Sequence, residues 1–459
     1  MNMRDVFDSL SPVDYRYWDP EVAKYLSENA FTDYKKRVEI ALVRTLFVRE
    51  VCSESVVLEV EEACKQVTTE DVYEEEKTTR HDVRALVNCI ARLVSDEAKP
   101  FVHMTATSYD IVDSANAARY KDVVEKVLVP ALIALERVLI DIAIREADTV
   151  QVGRTHGQHA VPITFGFAIA SYVSRLGISI QSLAKLADRL RGKFSGAVGA
   201  YNASSLFFDD PWLFEGEVMW KLGIHPAEHS TQIAPPEPLT RLLAEVTIAS
   251  GILANIGDDM RNLQRTEIGE VGEEFGAAQV GSSTMPQKRN PINFENAKSC
   301  WKIVMPRIIT VFMDQISDHQ RDLTNSASSR TYGEMISYLV TTAKRLTGVM
   351  KKLKVDKKSL ARNVAMERGM IVSEPLYIIL AAMGHPHAHE KVRTLTLQAQ
   401  REDQPLESIV TRDPEIRPYL EKMTEAQRQI FADPTLYTGV AAQHARKVAE
   451  AWKRRLFAE

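Results

Sequence analysis

Cysteine, glycine and proline are scarce in this chain, and each shortage removes a class of protein. Four cysteines, Cys52, Cys64, Cys89 and Cys300, are spread over 459 residues without CxxC spacing. Neither a disulfide framework nor a cysteine metal site follows from that pattern. The 20 glycines and 19 prolines fall below the roughly 12% of ordinary usage, so turns should be few and elements long. No stretch approaches the roughly 18 uninterrupted apolar residues of a membrane helix, and the opening MNMRDVFDSL lacks a signal-peptide pattern. The expected address is the cytosol. A net charge of −5 offers no electrostatic case for binding nucleic acid or acidic membranes. What is present is ordinary globular material, 45% hydrophobic and 26% charged, with a length that allows about three domains.

The apolar residues recur at helical steps almost throughout. Leu128, Leu132, Leu135, Leu139 and Ile142 form one stripe, with Pro130 near a helix start. Phe167 to Leu190 repeats the pattern through Tyr172, Leu176, Ile180 and Leu183. Leu242, Val246, Ala249, Leu253, Ile256, Met260 and Leu263 predict a helix over 239–263, long enough to suggest bundle packing rather than a compact globule. Trp301 to Ile316 and Tyr338 to Leu353 read as two more helices, the first with a possible break at Pro306. Alternating strand patterns are scarce, so an all-α architecture is expected. The long apolar helices begin near residue 110 and stop near Val355, where KKLKVDKKSL breaks the pattern. This gives an N-terminal helical domain over 1–109, a central long-helix bundle over 110–355 and a C-terminal helical domain over 356–459. The run Glu74–Glu75–Glu76–Lys77 in the first of these reads as a solvated helix face.

One segment stands apart. Gly281 to Pro291 reads GSSTMPQKRNP, with paired serines, Lys288, Arg289 and Asn290 on a turn-rich stretch. Small residues that expose backbone N–H groups, beside a lysine and an amide, suit a bound carboxylate. Four other segments concentrate polar groups. Gly153–Arg154–Thr155–His156–Gly157–Gln158–His159 precedes a long helix, with Pro162 read as a first-turn residue. His103 is followed by Thr107, Ser108 and Asp110, hydroxyls of a type that also cap helices. His81 and Asp82 form an HDV sequence; taken singly, such a histidine is usually structural. Arg321–Asp322 is followed by Ser326 and Arg330, whose spacing of four predicts a shared helix face.

HDV, TSxD, GRTHGxxA, the STQ of Ser230–Thr231–Gln232, GSSxMPxKxNP and RD…S…R occur here in one order. In that order they resemble the motifs of the fumarase/aspartase lyases, over a region from about Ser11 to Arg330. The resemblance implies that superfamily's three-domain, mostly helical fold. Ser11–Pro12 with Arg16–Tyr17 is similar to the element by which members acting on succinylated purine nucleotides hold the phosphate. His156 in RTHGQHA points the same way, and the Lys288–Arg289–Asn290–Pro291 ending sets the chain apart from fumarases and aspartases, though the carboxymuconate-cyclising members share it. Other members, which cyclise carboxymuconate, cleave argininosuccinate or serve as crystallin-like scaffolds, remain alternatives.

The chemistry implied is elimination of fumarate from a succinyl-amine. A weakly acidic proton leaves beside a carboxylate, whose developing charge needs immediate support. By resemblance, Ser283 is the base and His156 the acid that protonates the leaving nitrogen, a task suited to imidazole near neutrality. Lys288 looks like the charge stabiliser and Glu295 like the carboxylate that orients His156. His81, Asp82, His103, Thr107, Ser108, Gln232, Met285 and Asn290 correspond to substrate-binding positions. Arg16, Tyr17, Arg321, Ser326 and Arg330 would cover phosphate and carboxylate by forked, charge-assisted bonds. No metal or organic cofactor is called for. The resemblance also implies a homotetramer, because in relatives three chains bring these segments together. Two departures bear on this. Thr105 stands where relatives often have glycine, and threonine avoids positive φ, so the backbone before Thr107 is expected to run differently. Gln287 and the Ala234–Pro235–Pro236 run also differ from many relatives.

Overall fold

The computed structural model describes residues 9–274, 284–285, 287–367 and 369–457. The chain opens with α1 (Pro20–Leu26), α2 (Glu28–Val48), α3 (Glu54–Gln66), α4 (Thr69–Thr79), α5 (Asp82–Arg92) and α6 (Ser108–Val123). Then come α7 (Val129–Arg145), β1 (Val150–Thr155), β2 (Gln158–Thr164), α8 (Phe165–Asp188), β3 (Arg191–Gly192), α9 (Pro211–Lys221) and β4 (His225–Pro226). The long helices continue with α10 (Glu237–Leu263), α11 (Ile292–Met313) and α12 (Tyr332–Lys351), with β5 (Val271–Gly272) and β6 (Lys354–Val355) between and after them. Shorter helices close the chain: α13 (Lys357–Ala365), α14 (Ser373–Ala382), α15 (Ala388–Glu402), α16 (Leu406–Arg412), α17 (Arg417–Lys422), α18 (Glu425–Ala432) and α19 (Ala441–Phe457).

The chain divides into two compact units. Residues 1–132, 179–253 and 299–344 make the first; residues 133–178, 254–298 and 345–459 make the second. Helices α7, α8, α10, α11 and α12 each contribute a stretch to both. The expected mostly helical architecture is found, and strands among the described residues are confined to three two-stranded sheets. Helix α10, with 27 residues, is about 40 Å long at 1.5 Å per residue. By length and composition it would pass for a membrane span, yet Leu242, Leu243, Val246, Ala249, Leu253 and Ile256 are all buried within the protein. In the second unit Gly257 lets α10 approach α11 closely, since a Cβ there would stand 2.6 Å from the Phe294 carbonyl oxygen. Five residues of π-helix, Val124–Leu128, lead from α6 into α7. That wider turn accommodates Pro130, which has no N–H to give to an ordinary helical ladder.

Two local expectations are corrected. Residues 150–164 form an antiparallel β-hairpin, not a loop before a helix, and Pro162 lies in β2 opposite Val152. Its lack of an N–H is tolerated in a two-stranded edge position. Ser326 sits on a turn and Arg330 in a short 3-10 helix, Ser328–Thr331, so they do not share an α-helical face.

The first unit is organised around a buried ion pair. Lys193 and Asp110 both have fully buried side chains and form a short contact through the Lys193 Nζ and Asp110 Oδ1. Asp110 Oδ1 also accepts the Ser195 N–H at 3.1 Å, and Oδ2 accepts the Thr107 N–H at 2.8 Å. The carboxylate thereby caps the start of α6 and ties the segment after β3 to it. Removing one partner of such a pair leaves a buried charge without compensation. Lys193→Met should therefore destabilise the protein by about 3–5 kcal/mol, measured by urea unfolding of the first transition. A loss of under about 1 kcal/mol would contradict this role.

Candidate active site

In the first unit, four of the motif segments meet. His81 is the N-cap of α5, its Nδ1 accepting the Arg84 N–H at 3.2 Å. With Nδ1 accepting, the ring proton sits on Nε2, which can donate to Ser108 Oγ at 3.1 Å. Ser108 begins α6, and the next residue, Tyr109, carries the Arg321 guanidinium 3.6 Å from its ring centroid. Arg321 Nη1 is buried and makes no hydrogen bond. Thr231 Oγ1 donates to the Gln320 carbonyl at 2.8 Å, bringing the Gln232 loop beside Arg321. Ser230 Oγ pairs with Ser195 Oγ at 2.7 Å, and the Ala234 N–H reaches Asp113 Oδ2 at 2.8 Å. Gln232 is thus presented by a loop pinned on both sides.

Beneath this cluster lie two charges that the sequence reading missed. On α2, Lys35 and Glu39 stand one helical turn apart and are both buried. Lys35 Nζ reaches Asp82 Oδ2 at 3.3 Å. Glu39 accepts both the His103 backbone N–H at 3.1 Å and its ring at Nδ1, 2.7 Å away. Burial alone would lower the His103 pKa, but the Glu39 charge and hydrogen bond outweigh it and raise the pKa. The available signal was two inward-facing charges at i, i+4 within an otherwise apolar stripe. Asp113 was missed as well; burial, against the Ala234 N–H and nearby Lys193 and Arg321, pushes its pKa up to about 7.

The chain before Thr107 is strained. His103 has φ 62° and Thr105 φ 66°, a region that costs a residue other than glycine about 1–3 kcal/mol. The expectation that Thr105 would avoid positive φ is corrected: the left-handed turn is kept with threonine in it. The N-terminal element lies along α12. Ser11 Oγ donates to Glu334 Oε1 at 3.1 Å, the Tyr17 ring stacks at a tilt 5.3 Å from Tyr338, and Arg16 is exposed. Ser326 and Arg330, just before α12, are exposed too.

The second unit holds His156, the residue expected to protonate the leaving nitrogen. His156 occupies the tip of the β1–β2 hairpin, exposed, between the paired residues Thr155 and Gln158. His156 and Gly157 have φ 55° and 74°, and positive φ at both central residues is what a two-residue type I′ hairpin turn requires. Sequence preference at the first position favours asparagine, though histidine is also among the residues that tolerate positive φ. Lys288 is exposed, its N–H bonded to the Met285 carbonyl at 3.0 Å. Met285 is 42% exposed, and Asn290 precedes α11. Glu295 lies in the first turn of α11, exposed. Among the described residues no hydrogen bond or ion pair joins Glu295 to His156. Ser283 lies outside the described residues. No group of His, Cys, Asp and Glu suited to a metal ion occurs among the described residues.

The chain matches known lyases over most of its length. A sequence profile described as "Lyase" matches residues 12–305, and one described as "Adenylosuccinate lyase C-terminal" matches 317–428. The adenylosuccinate lyase of Pyrococcus horikoshii is 36% identical over 448 residues, covering 96% of this chain and 98% of that protein. That of Methanocaldococcus jannaschii is 33% identical over 463 residues, covering 98% and 97%. The structure of 3-carboxy-cis,cis-muconate lactonizing enzyme from Pseudomonas putida superposes with a TM-score of 0.85 at 23% identity, covering 98% of this chain and 100% of that one. With the helical fold and the matched residues together, the chain belongs to the fumarase/aspartase superfamily of lyases. Within that superfamily it is a member of the adenylosuccinate lyase family.

The hairpin geometry makes a sharp prediction. His156→Asn installs the favoured Asn-Gly turn and removes the imidazole. The melting temperature should stay level or rise, while kcat falls by about 10²–10⁴-fold, the usual weight of a general acid. A variant with near-native kcat would remove His156 from the chemistry.

Proposed function

We propose that the chain cleaves adenylosuccinate to AMP and fumarate, and the related succinylated intermediate SAICAR to AICAR, by a serine-base, histidine-acid β-elimination. The observation that carries this reading is the meeting of HDV, TSxD, STQ and RD segments in one hydrogen-bonded cluster, in a chain of this family. The cluster offers what a succinylated nucleotide needs. Ser108, Thr107 and Gln232 supply neutral donors for the succinyl carboxylates, and His81 orients Ser108. Arg321 brings a guanidinium with an unused buried donor, while Arg16, Tyr17, Ser326 and Arg330 would cover the phosphate.

The chemical steps then follow from the residue types. Ser283, as alkoxide, takes the proton from the succinyl carbon beside a carboxylate. Lys288 and Asn290 stabilise the extra charge that appears on that carboxylate. The C–N bond breaks with its electron pair going to nitrogen, which receives a proton from His156. A serine hydroxyl is a poor base until desolvated and flanked by donors, so closure of the signature loop over substrate is part of the reading.

We also propose a cytoplasmic homotetramer with sites shared between subunits. Support comes from α11, where Met305, Ile309, Phe312, Met313 and the following Ile316 are 43–78% exposed at helical spacing. A continuous apolar stripe of this kind is an uncommon surface for a lone chain. Glu295 and His156, between which no hydrogen bond or ion pair occurs among the described residues, would then meet only across subunits.

The test is a substrate panel. Purified protein should turn over adenylosuccinate, followed by its loss of absorbance, and leave 3-carboxymuconate and argininosuccinate untouched. Turnover of either of those in preference to adenylosuccinate would reassign the substrate. Inertness toward all three would favour a scaffold.

A further inference from the structure

Two buried carboxylates flank the short strand β5, and neither has a place in the chemistry above. Glu270 is fully buried and Glu273 is 4% exposed. They are three residues apart on an extended segment whose Val271 and Gly272 pair with Val355 and Lys354. An odd separation on a strand sends side chains to opposite faces, so each carboxylate reaches a different part of the second unit.

Glu270 faces the hairpin. Its Oε1 accepts from Arg154 Nη2 at 2.5 Å and Asn363 Nδ2 at 2.8 Å. Its Oε2 accepts from Arg154 Nη1 at 3.1 Å and Gln151 Nε2 at 2.7 Å. The forked Arg154 pair grips β1 two residues before His156, and the fork fixes orientation as well as distance. Glu273 faces the start of α11, just after the signature segment. Its Oε1 accepts the N–H groups of Asn293 and Phe294 at 2.9 and 3.2 Å, and its Oε2 accepts Asn293 Nδ2 at 2.6 Å. Those two N–H groups belong to the first turn of α11, where a carboxylate satisfies orphan donors and complements the helix dipole. The Glu273 N–H in turn donates to Gln264 Oε1 at 3.0 Å, while Gln264 Nε2 donates to the Arg289 carbonyl at 3.1 Å. Residues 264 and 273 on one side and 289, 293 and 294 on the other are thereby stitched together across the neck of the loop that carries Lys288 and Asn290.

We propose that Glu270 and Glu273 are positioning residues for the reaction, Glu270 acting through His156 and Glu273 through the Lys288–Asn290 loop. The inference rests on the roles given to those residues above. The requirement is for carboxylates specifically. Among the described residues every hydrogen bond to the two side chains comes from a donor, and a glutamine would turn one acceptor into a donor facing another donor. Both groups are buried, so they influence the reaction through the segments they hold.

The experiment compares full-length Glu270→Gln and Glu273→Gln with His156→Asn and Lys288→Ala, using adenylosuccinate. Each glutamine variant should keep the native assembly and a KM within about threefold, while kcat falls by about 10- to 100-fold, the scale of a small misplacement. In the His156→Asn background, Glu270→Gln should cost almost nothing further, whereas Glu273→Gln should still lower the residual rate. Should Glu270→Gln fail to assemble, Arg154→Lys, which keeps the charge but loses the fork, makes the same comparison. Native kcat in the glutamine variants, beside inactive His156→Asn and Lys288→Ala, would overturn the positioning roles alone. The same fractional loss from Glu270→Gln in both backgrounds would overturn its action through His156. Full activity in His156→Asn would overturn the reading of the site and this inference with it.

Discussion

A carboxylate placed out of reach of water must be answered by the protein, and in the first unit the answer given to Asp110 decides where the surrounding segments lie. Lys193 neutralises it, and three segments supply donors or follow from them: the α6 start, the stretch after β3, and, through Ser195 and Ser230, the Gln232 loop. Once α6 is fixed, Ser108 meets His81 and Tyr109 meets Arg321. A buried pair of this sort is weak evidence for stability, since its desolvation is costly. Its value here is specificity of arrangement, because no apolar replacement could receive the Thr107 and Ser195 N–H groups. The same economy appears under His103, where one Glu39 side chain holds both the ring and the backbone of a residue in strained conformation.

On the proposed function, the two units would carry different halves of the chemistry. The first collects hydroxyls, amides, histidines and guanidinium groups of the kind that would recognise a polyanion, built on helix starts and short loops with dense hydrogen bonding. The second presents His156 on a hairpin tip and Lys288 on a loop, both exposed and both held from beneath by buried carboxylates. On the proposed function, recognition would fall to the densely hydrogen-bonded first unit, and the proposed acid, His156, stands at an exposed hairpin tip.

Much of this was legible in the sequence, and the reasons differ by element. The long helices declared themselves because stripes such as Leu242, Val246, Ala249 and Leu253 have the helical period over many turns, and periodicity accumulates with length. The β1–β2 hairpin did not. Gly153 sits at its register break, Pro162 imitates a helix start, and the turn residues are His-Gly rather than Asn-Gly. Ser326 and Arg330 carried the spacing of a helix face, but a spacing of two residues cannot establish the helix itself. The motif residues were found by resemblance, whereas Glu39, Lys193 and Glu270 were not. Their partners lie 64, 83 and 116 residues away, and no local pattern announces a buried charge whose answer is that distant. Thr105 shows the opposite limit. Its side chain argued against a left-handed turn, and the surrounding structure imposed one.

The claim on which this account turns is that His156 and Ser283 act in one site but come from different subunits. It is tested by unfolding His156→Ala and Ser283→Ala proteins together and refolding them as mixed assemblies. Each variant alone should be nearly inactive, and the mixture should regain a substantial fraction of native turnover, because some sites receive an intact histidine from one chain and an intact serine from the other. No recovery, in a mixture whose subunits are shown to have exchanged, would contradict it.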